Sequence, residues 1–170
     1  MTYQQRLNHA IPGGAHTYSR GFDQFPSNAP QILEKGKGAY LNDKRISVSK
    51  ENNISKSLLV TGFPYDTSNN RHMPVKVFAE FVNSDIPVRR LGSAALDLCW
   101  TACGRFDGFW EYYLNPWDVA AGYLIVTEAG GVVTDFEENE FSVYKKEILA
   151  TNGLIHDQML RTIQKVKKPG

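Results

Sequence analysis

From residue 57 onward, strand-like and helix-like segments alternate, and this pattern restricts the chain to an α/β layered domain with helices packed against a sheet. Residues 58–62 are apolar and end at Gly62, as a buried strand does. Val75, Phe78, Ala79 and Val82 recur at helical spacing, which predicts a helix over 74–83 with Pro74 in its first turn. Residues 88–91 read as a strand, 93–103 as a helix apolar nearly all round, and 106–112 as a strand. Asn115 and Pro116 are a cap and a first helical residue, and that helix runs to Ala129 and stops at Gly130-Gly131. Strands at 132–134 and 148–150 and a helix at 155–166 complete the series. Upstream, 39–41 and 45–49 flank Asn42-Asp43-Lys44, as in a hairpin. After a helix candidate at 2–9, residues 1–35 carry Pro12, Gly13, Gly14, Pro26 and Pro30 without sustained periodicity, so they read as irregular chain.

With 170 residues, 42% of them hydrophobic, the chain is long enough to bury one core. A net charge of +1 gives no global field to attract nucleic acid, and no apolar run approaches the length of a membrane span. The first residues contain no apolar stretch of the signal-peptide kind, so the cytoplasm is the expected compartment. Cys99 and Cys103, four apart in an apolar stretch, read as small hydrophobes on one helix face rather than as a disulfide or metal pair. His9, His16, His72 and His156 form no ligand-spaced pair and read as surface or turn residues.

Three places could carry chemistry. Asp118 falls at the third position of the helix opened by Pro116, where the helix dipole favours a carboxylate. There it either balances the helix start or offers a hard oxygen to Mg²⁺. Gly92, Ser93 and Ala94 either make a tight strand-to-helix turn or leave backbone N–H groups open to a phosphate or a sugar hydroxyl. Glu111 is either a solvated charge or a strand-end carboxylate that accepts a substrate hydroxyl.

Taken together, these segments resemble a family. Residues 36–170 resemble the C-terminal part of the inositol monophosphatase family of Mg²⁺-dependent phosphatases. The resemblance runs through Gly38-Ala39-Tyr40-Leu41-Asn42, residues 57–66, Arg90-Leu91-Gly92-Ser93-Ala94-Ala95, Trp117-Asp118-Val119-Ala120-Ala121-Gly122, Glu128-Ala129-Gly130-Gly131 and Ala150-Thr151-Asn152. It implies the layered αβαβα fold of that family, here with its C-terminal portion. It also implies a metal-ligand role for Asp118, substrate contacts for Gly92, Ser93, Ala94 and Glu111, and Mg²⁺ as cofactor. The implied substrate is an inositol phosphate or a similar small polyol or sugar phosphate.

The resemblance further implies two upstream metal-binding motifs, Gly-Glu-Glu and Asp-Pro-x-Asp-Gly-Thr, and neither occurs in the chain. Two-metal phosphate hydrolysis needs several carboxylates to hold the ions ~3.5–4 Å apart. The expectation is therefore a chain inactive or nearly so, or a non-catalytic module that pairs with another chain, with homo-oligomers favoured by exposed apolar surface and open strand edges. A third reading is that other acids, Asp97, Asp107, Glu128 and Asp135, rebuild a site, but nothing in their spacing places them beside Asp118. Residues 1–41, with Ile11-Pro12-Gly13-Gly14, Ala29-Pro30 and Lys35-Gly36-Lys37-Gly38-Ala39-Tyr40-Leu41, resemble the N-terminus of glutamate-1-semialdehyde-type class III aminotransferases. Residues 36–41 fit both families, which suggests a fusion, with an irregular segment at 1–35 and a phosphatase-like domain at 36–170.

Overall fold

The computed structural model describes residues 31–32, 36–64 and 73–167. The helix expected at 2–9 lies outside them, as does almost all of the aminotransferase-like stretch. A small antiparallel sheet comes first, in the order β1 (Gln31–Ile32), β2 (Ala39–Leu41), β3 (Lys44–Arg45). Asn42 and Asp43 both have positive φ (50° and 62°), so the β2–β3 turn has the twist that tight hairpins require. A five-stranded sheet follows, in the order β5 (Val88–Arg89), β4 (Leu59–Thr61), β6 (Gly108–Tyr112), β8 (Glu147–Thr151), β7 (Val132–Thr134). β4 runs parallel to β5 and β6, whereas β8 is antiparallel to β6 and β7.

Alternation along the strands divides the core in two. Leu59, Trp110 and Leu149 face α1 (Met73–Asn83) and α4 (His156–Lys167), where they join Val77, Phe81, Met159 and Ile163. Val60, Phe109, Ile148 and Ala150 face α2 (Ala94–Ala102) and α3 (Pro116–Glu128), where they join Leu98, Ala102, Val119 and Val126. The expected helix-and-sheet order is observed, and it is the mixed α/β layered arrangement inferred from the alternation. Cys99 is buried on α2, and Cys103 ends that helix half-buried; both are free thiols.

The small sheet lies at the C-terminal end of α3. Glu128 accepts hydrogen bonds from the Gly36 and Gly38 amides at 2.6 and 3.0 Å, and Ala39 is fully buried in the core beside α3. Two expectations change here. β1 pairs with β2 from inside the stretch read as irregular, so strand pairing crosses the boundary expected at residues 35–36. The strand expected over 45–49 ends at Arg45, because the chain then turns onto α3 and the Val48 amide bonds to the Ala129 carbonyl at 3.2 Å. No helix among the described residues is long and apolar enough to cross a membrane.

Candidate functional site

The connections of the parallel strands locate the site. β4 leads through α1 to β5 on one side, and β6 leads through α3 toward β7 on the other, with the two helices on opposite faces of the sheet. Adjacent parallel strands whose connections diverge leave a crevice at their carboxyl ends. Gly62 follows β4 at that crevice, Glu111 lies near the end of β6, and the capped starts of α2 and α3 bring Ser93 and Asp118 to the same end.

Each residue singled out in the sequence can now be placed. Asp118 is half-buried at the third position of α3, and its Oδ2 accepts the Asn115 amide at 3.0 Å. It therefore balances the helix start. The Ser93 hydroxyl caps α2 by accepting the Leu96 amide, and Ala94 is the first residue of that helix. Gly92 has φ +91°, with open space where a Cβ would stand, so glycine is required there by backbone conformation rather than by crowding. Glu111 is buried, at 7% exposure, which rules out a solvated charge.

Glu111 is strongly perturbed. Burial pushes its carboxyl up to about 8, the Asp97 and Asp118 charges push the same way, and Arg90 pulls against them. Arg90 itself lies over the Phe63 ring at 5.6 Å. The Glu111 carboxylate occupies the space above Gly62: a Cβ there would lie 2.4 Å from its oxygens. Gly62 is thus part of the site, a role that its position at a strand end does not reveal.

Of the further acids, Asp97 is the one that the fold brings to Glu111. It sits on α2 with no exposed surface, and neither carboxylate oxygen has a hydrogen-bond partner. Burial pushes it up to about 7. The sequence places nothing beside Asp118, but the fold places Asp97 and Asp118 within electrostatic reach of the same Glu111. The other acids do different work. Asp107 accepts the Leu58 amide at 2.7 Å and the Ser49 hydroxyl at 2.5 Å, Asp135 accepts Lys145 and the Asn139 amide within its turn, and Glu128 holds the small sheet. His156 is a correction: it is buried between the Thr134 and Thr151 hydroxyls, at 3.0 and 2.9 Å, rather than at the surface.

The donor set does not fit a complete magnesium centre. Among the described residues no group of three or more His, Cys, Asp or Glu side chains is arranged to hold a metal ion. The arrangement does provide one capping carboxylate, two buried acids pushed toward their neutral forms, and two capped helix starts that follow the carboxyl ends of β5 and β6.

Comparison with known proteins bears on the family and the fold. The model of the inositol monophosphatase family matches residues 27–168. The chloroplastic phosphatase IMPL1 of Arabidopsis thaliana is 44% identical over 128 residues, which are 75% of this chain and 34% of that protein. The putative Nus factor SuhB of Neisseria meningitidis is 43% identical over 136 residues, 80% of this chain and 52% of that protein. The solved inositol monophosphatase of Anabaena superposes with a TM-score of 0.70 at 46% identity, covering 76% of this chain and 52% of that structure. The chain thus spans about a third to a half of the length of these relatives. With a family match over residues 27–168 and a TM-score of 0.70 to a solved member at 46% identity, the chain belongs to the inositol monophosphatase family.

Proposed function

We propose that the crevice descends from, and retains half of, a Mg²⁺-dependent phosphomonoesterase site for an inositol phosphate or a similar small polyol or sugar phosphate in the cytoplasm. The observation that supports this reading is that Asp118 and Arg90 both act electrostatically on buried Glu111 in a chain matched to the family, with the Gly92-Ser93-Ala94 turn following Arg90 at the start of α2. Glu111 is the acceptor for a polyol hydroxyl. The amides at the start of α2 face the phosphate or a sugar oxygen. Asp118 is the carboxylate nearest a metal role, and it is a single donor already engaged with Asn115. On its own the chain is inactive or nearly so, because one aspartate does not hold two ions.

The test is phosphate release from inositol 1-phosphate by the purified chain, with and without Mg²⁺, beside Asp118→Asn. Equal, background-level release from both proteins, with the chain shown to be folded, is the expected result. A Mg²⁺-dependent signal that disappears in Asp118→Asn would overturn the inactivity.

A second reading is favoured by exposed apolar surface beside the site, with Trp117 58% and Leu91 47% exposed: the chain acts by pairing with another polypeptide. We also propose that the aminotransferase-like sequence ends before residue 27, where the family match begins, and that the two parts were fused. Sequencing the locus tests this, and an intact reading frame for the upstream metal motifs in the same transcript would refute it.

A further inference from the structure

His156 is a buried ionisable group that the crevice does not use. It opens α4, is 4% exposed, and stands between hydroxyls on two neighbouring antiparallel strands. Thr151 of β8 is 2.9 Å from Nδ1, and Thr134 of β7 is 3.0 Å from Nε2. Taken alone, each contact could run in either direction, because a hydroxyl both donates and accepts and a neutral imidazole has one nitrogen of each kind. The other partners of the two threonines decide the direction.

Thr134 Oγ1 donates its hydrogen to the Asp135 carbonyl at 2.7 Å. A hydroxyl has one hydrogen, so toward Nε2 it accepts, and Nε2 carries the imidazole proton. On the other side Thr151 Oγ1 accepts the Gly153 amide at 3.0 Å, and its own hydrogen goes to the bare Nδ1. The four bonds then run one way, from the Gly153 amide through Thr151, the imidazole and Thr134 to the Asp135 carbonyl, and every donor has an acceptor. The other tautomer fails at both ends. A bare Nε2 would face the Thr134 oxygen lone pairs at 3.0 Å unless that hydroxyl abandoned the Asp135 carbonyl. Thr151, with no exposed surface, would receive Nδ1–H and keep a hydrogen with no other acceptor among the described residues.

A second proton on the imidazole creates the same defect. Nδ1–H then points at Thr151 Oγ1, the hydroxyl hydrogen is turned into a buried site, and a positive charge appears where water has little access. The charges that act on the imidazole are Asp157 beside it on α4 and Glu138 in the turn after β7; both favour the cation, and burial outweighs them. Asp135, next to Thr134, directs its carboxylate to Asn139 and Lys145 within its own turn. From β7 and β8 the groups that meet the ring are the two neutral hydroxyls.

We propose that His156 is an acid-sensitive latch: held as the Nε2–H tautomer, it fastens strand β7 and the turn at 152–154 to the start of α4, and its protonation opens that corner. The corner is built to open locally. β7 has three residues and, among the described residues, pairs with β8 alone. The turn is held by side chains: Thr151 Oγ1 takes the Gly153 amide, and Asn152 Oδ1 takes the Leu154 and Ile155 amides at 2.9 and 3.2 Å. An open corner returns the imidazole to its ordinary 6.5, so the latch is closed above that value and loosens as pH falls below it.

The test uses the full chain and NMR. A long-range proton–nitrogen correlation at pH 7.5 is expected to show His156 with Nε2 protonated and Nδ1 bare. An Nδ1–H tautomer, or an average of the two, would overturn the proposal. Protection of the Gly153 amide against exchange, taken relative to free-peptide rates, is then compared at pH 7 and pH 5. It is expected to fall several-fold, with a ceiling of about 25-fold set by an open state that titrates at 6.5, while the Phe109 amide in β6 keeps its protection. Unchanged protection at Gly153, or an equal fall at Phe109, would refute local opening. His156→Gln is expected to remove the pH dependence at Gly153. The same fall in that variant would assign the effect to Asp157, Glu138 or Asp135 and sink the latch. Both measurements on the parent chain decide the matter without the variant, should it fail to fold.

Discussion

Replacing Asp97 by asparagine is expected to change how stability depends on pH more than stability at any single pH. Asp97 has no exposed surface and no hydrogen-bond partner for either oxygen, so its ionised form is disfavoured in the fold and its carboxyl is pushed from 3.8 up to about 7. In the unfolded chain it ionises near its ordinary value. Between the two values the folded chain holds a proton that the unfolded chain has released, so stability falls as pH rises through that window. At about 1.36 kcal/mol per unit the full loss is ~4 kcal/mol, complete above pH ~7. Glu111, held up to about 8, contributes in the same direction and is coupled to Asp97, so the two titrate as a pair. A domain of this size has about 5–15 kcal/mol in total, so the loss is readily measured. The assay is urea denaturation followed by tryptophan fluorescence, with Trp110 almost fully buried as a reporter, at pH 5, 6, 7 and 8. The parent chain is expected to lose stability steadily from pH 5 to 8, and Asp97→Asn to remove the share that falls below about pH 7 while leaving the share due to Glu111. Parallel profiles for the two proteins would refute the assignment.

Three other outcomes follow from the same structure. Gly62→Ala forces the Glu111 carboxylate out of its place and is expected to cost about 1–3 kcal/mol in the urea midpoint, because a Cβ there meets the Glu111 oxygens at 2.4 Å. Glu128→Gln weakens the bonds to Gly36 and Gly38 and is expected to speed amide exchange in the small sheet while leaving β6 and β8 protected. His156 is held neutral by burial, so its imidazole is expected to titrate below its ordinary 6.5 by NMR. Because its folded value is lowered, it removes stability as pH falls below 6.5, opposite in sign to Asp97, and His156→Gln is expected to flatten the acid side alone.

The elements were legible where local chemistry decides them. Asn115 and Pro116 announced α3, Gly130-Gly131 its end, and the spacing of Val75, Phe78, Ala79 and Val82 announced α1, although the face that helix buries is Pro74, Val77 and Phe81, with Val75 and Val82 exposed. Asp118 was legible as a first-turn carboxylate, and Gly92 as a turn residue. The rest depends on pairing between distant segments. That Gly62 lies under Glu111 follows from the register Thr61↔Trp110, and that register is set by the whole sheet. That His156 is buried depends on Thr134 and Thr151 arriving on neighbouring strands. Asp97 looked like one more polar residue on a helix, because nothing within four residues of it shows which face meets β6. β1 was missed because two residues carry no periodicity at all.

The charge around Glu111 is unbalanced. Asp97 and Asp118 both raise its carboxyl, and among the described residues Arg90 is the base that acts against them. Asp97 has no exposed surface and Glu111 is 7% exposed, so water does little to relieve either charge. Relief comes from a proton or from a positive charge brought to the carboxyls. Near neutral pH protons serve, because burial pushes Asp97 up to about 7 and Glu111 up to about 8. A cation that reaches Glu111 therefore competes with its proton and is expected to bind more tightly as pH rises through the range where the two acids ionise.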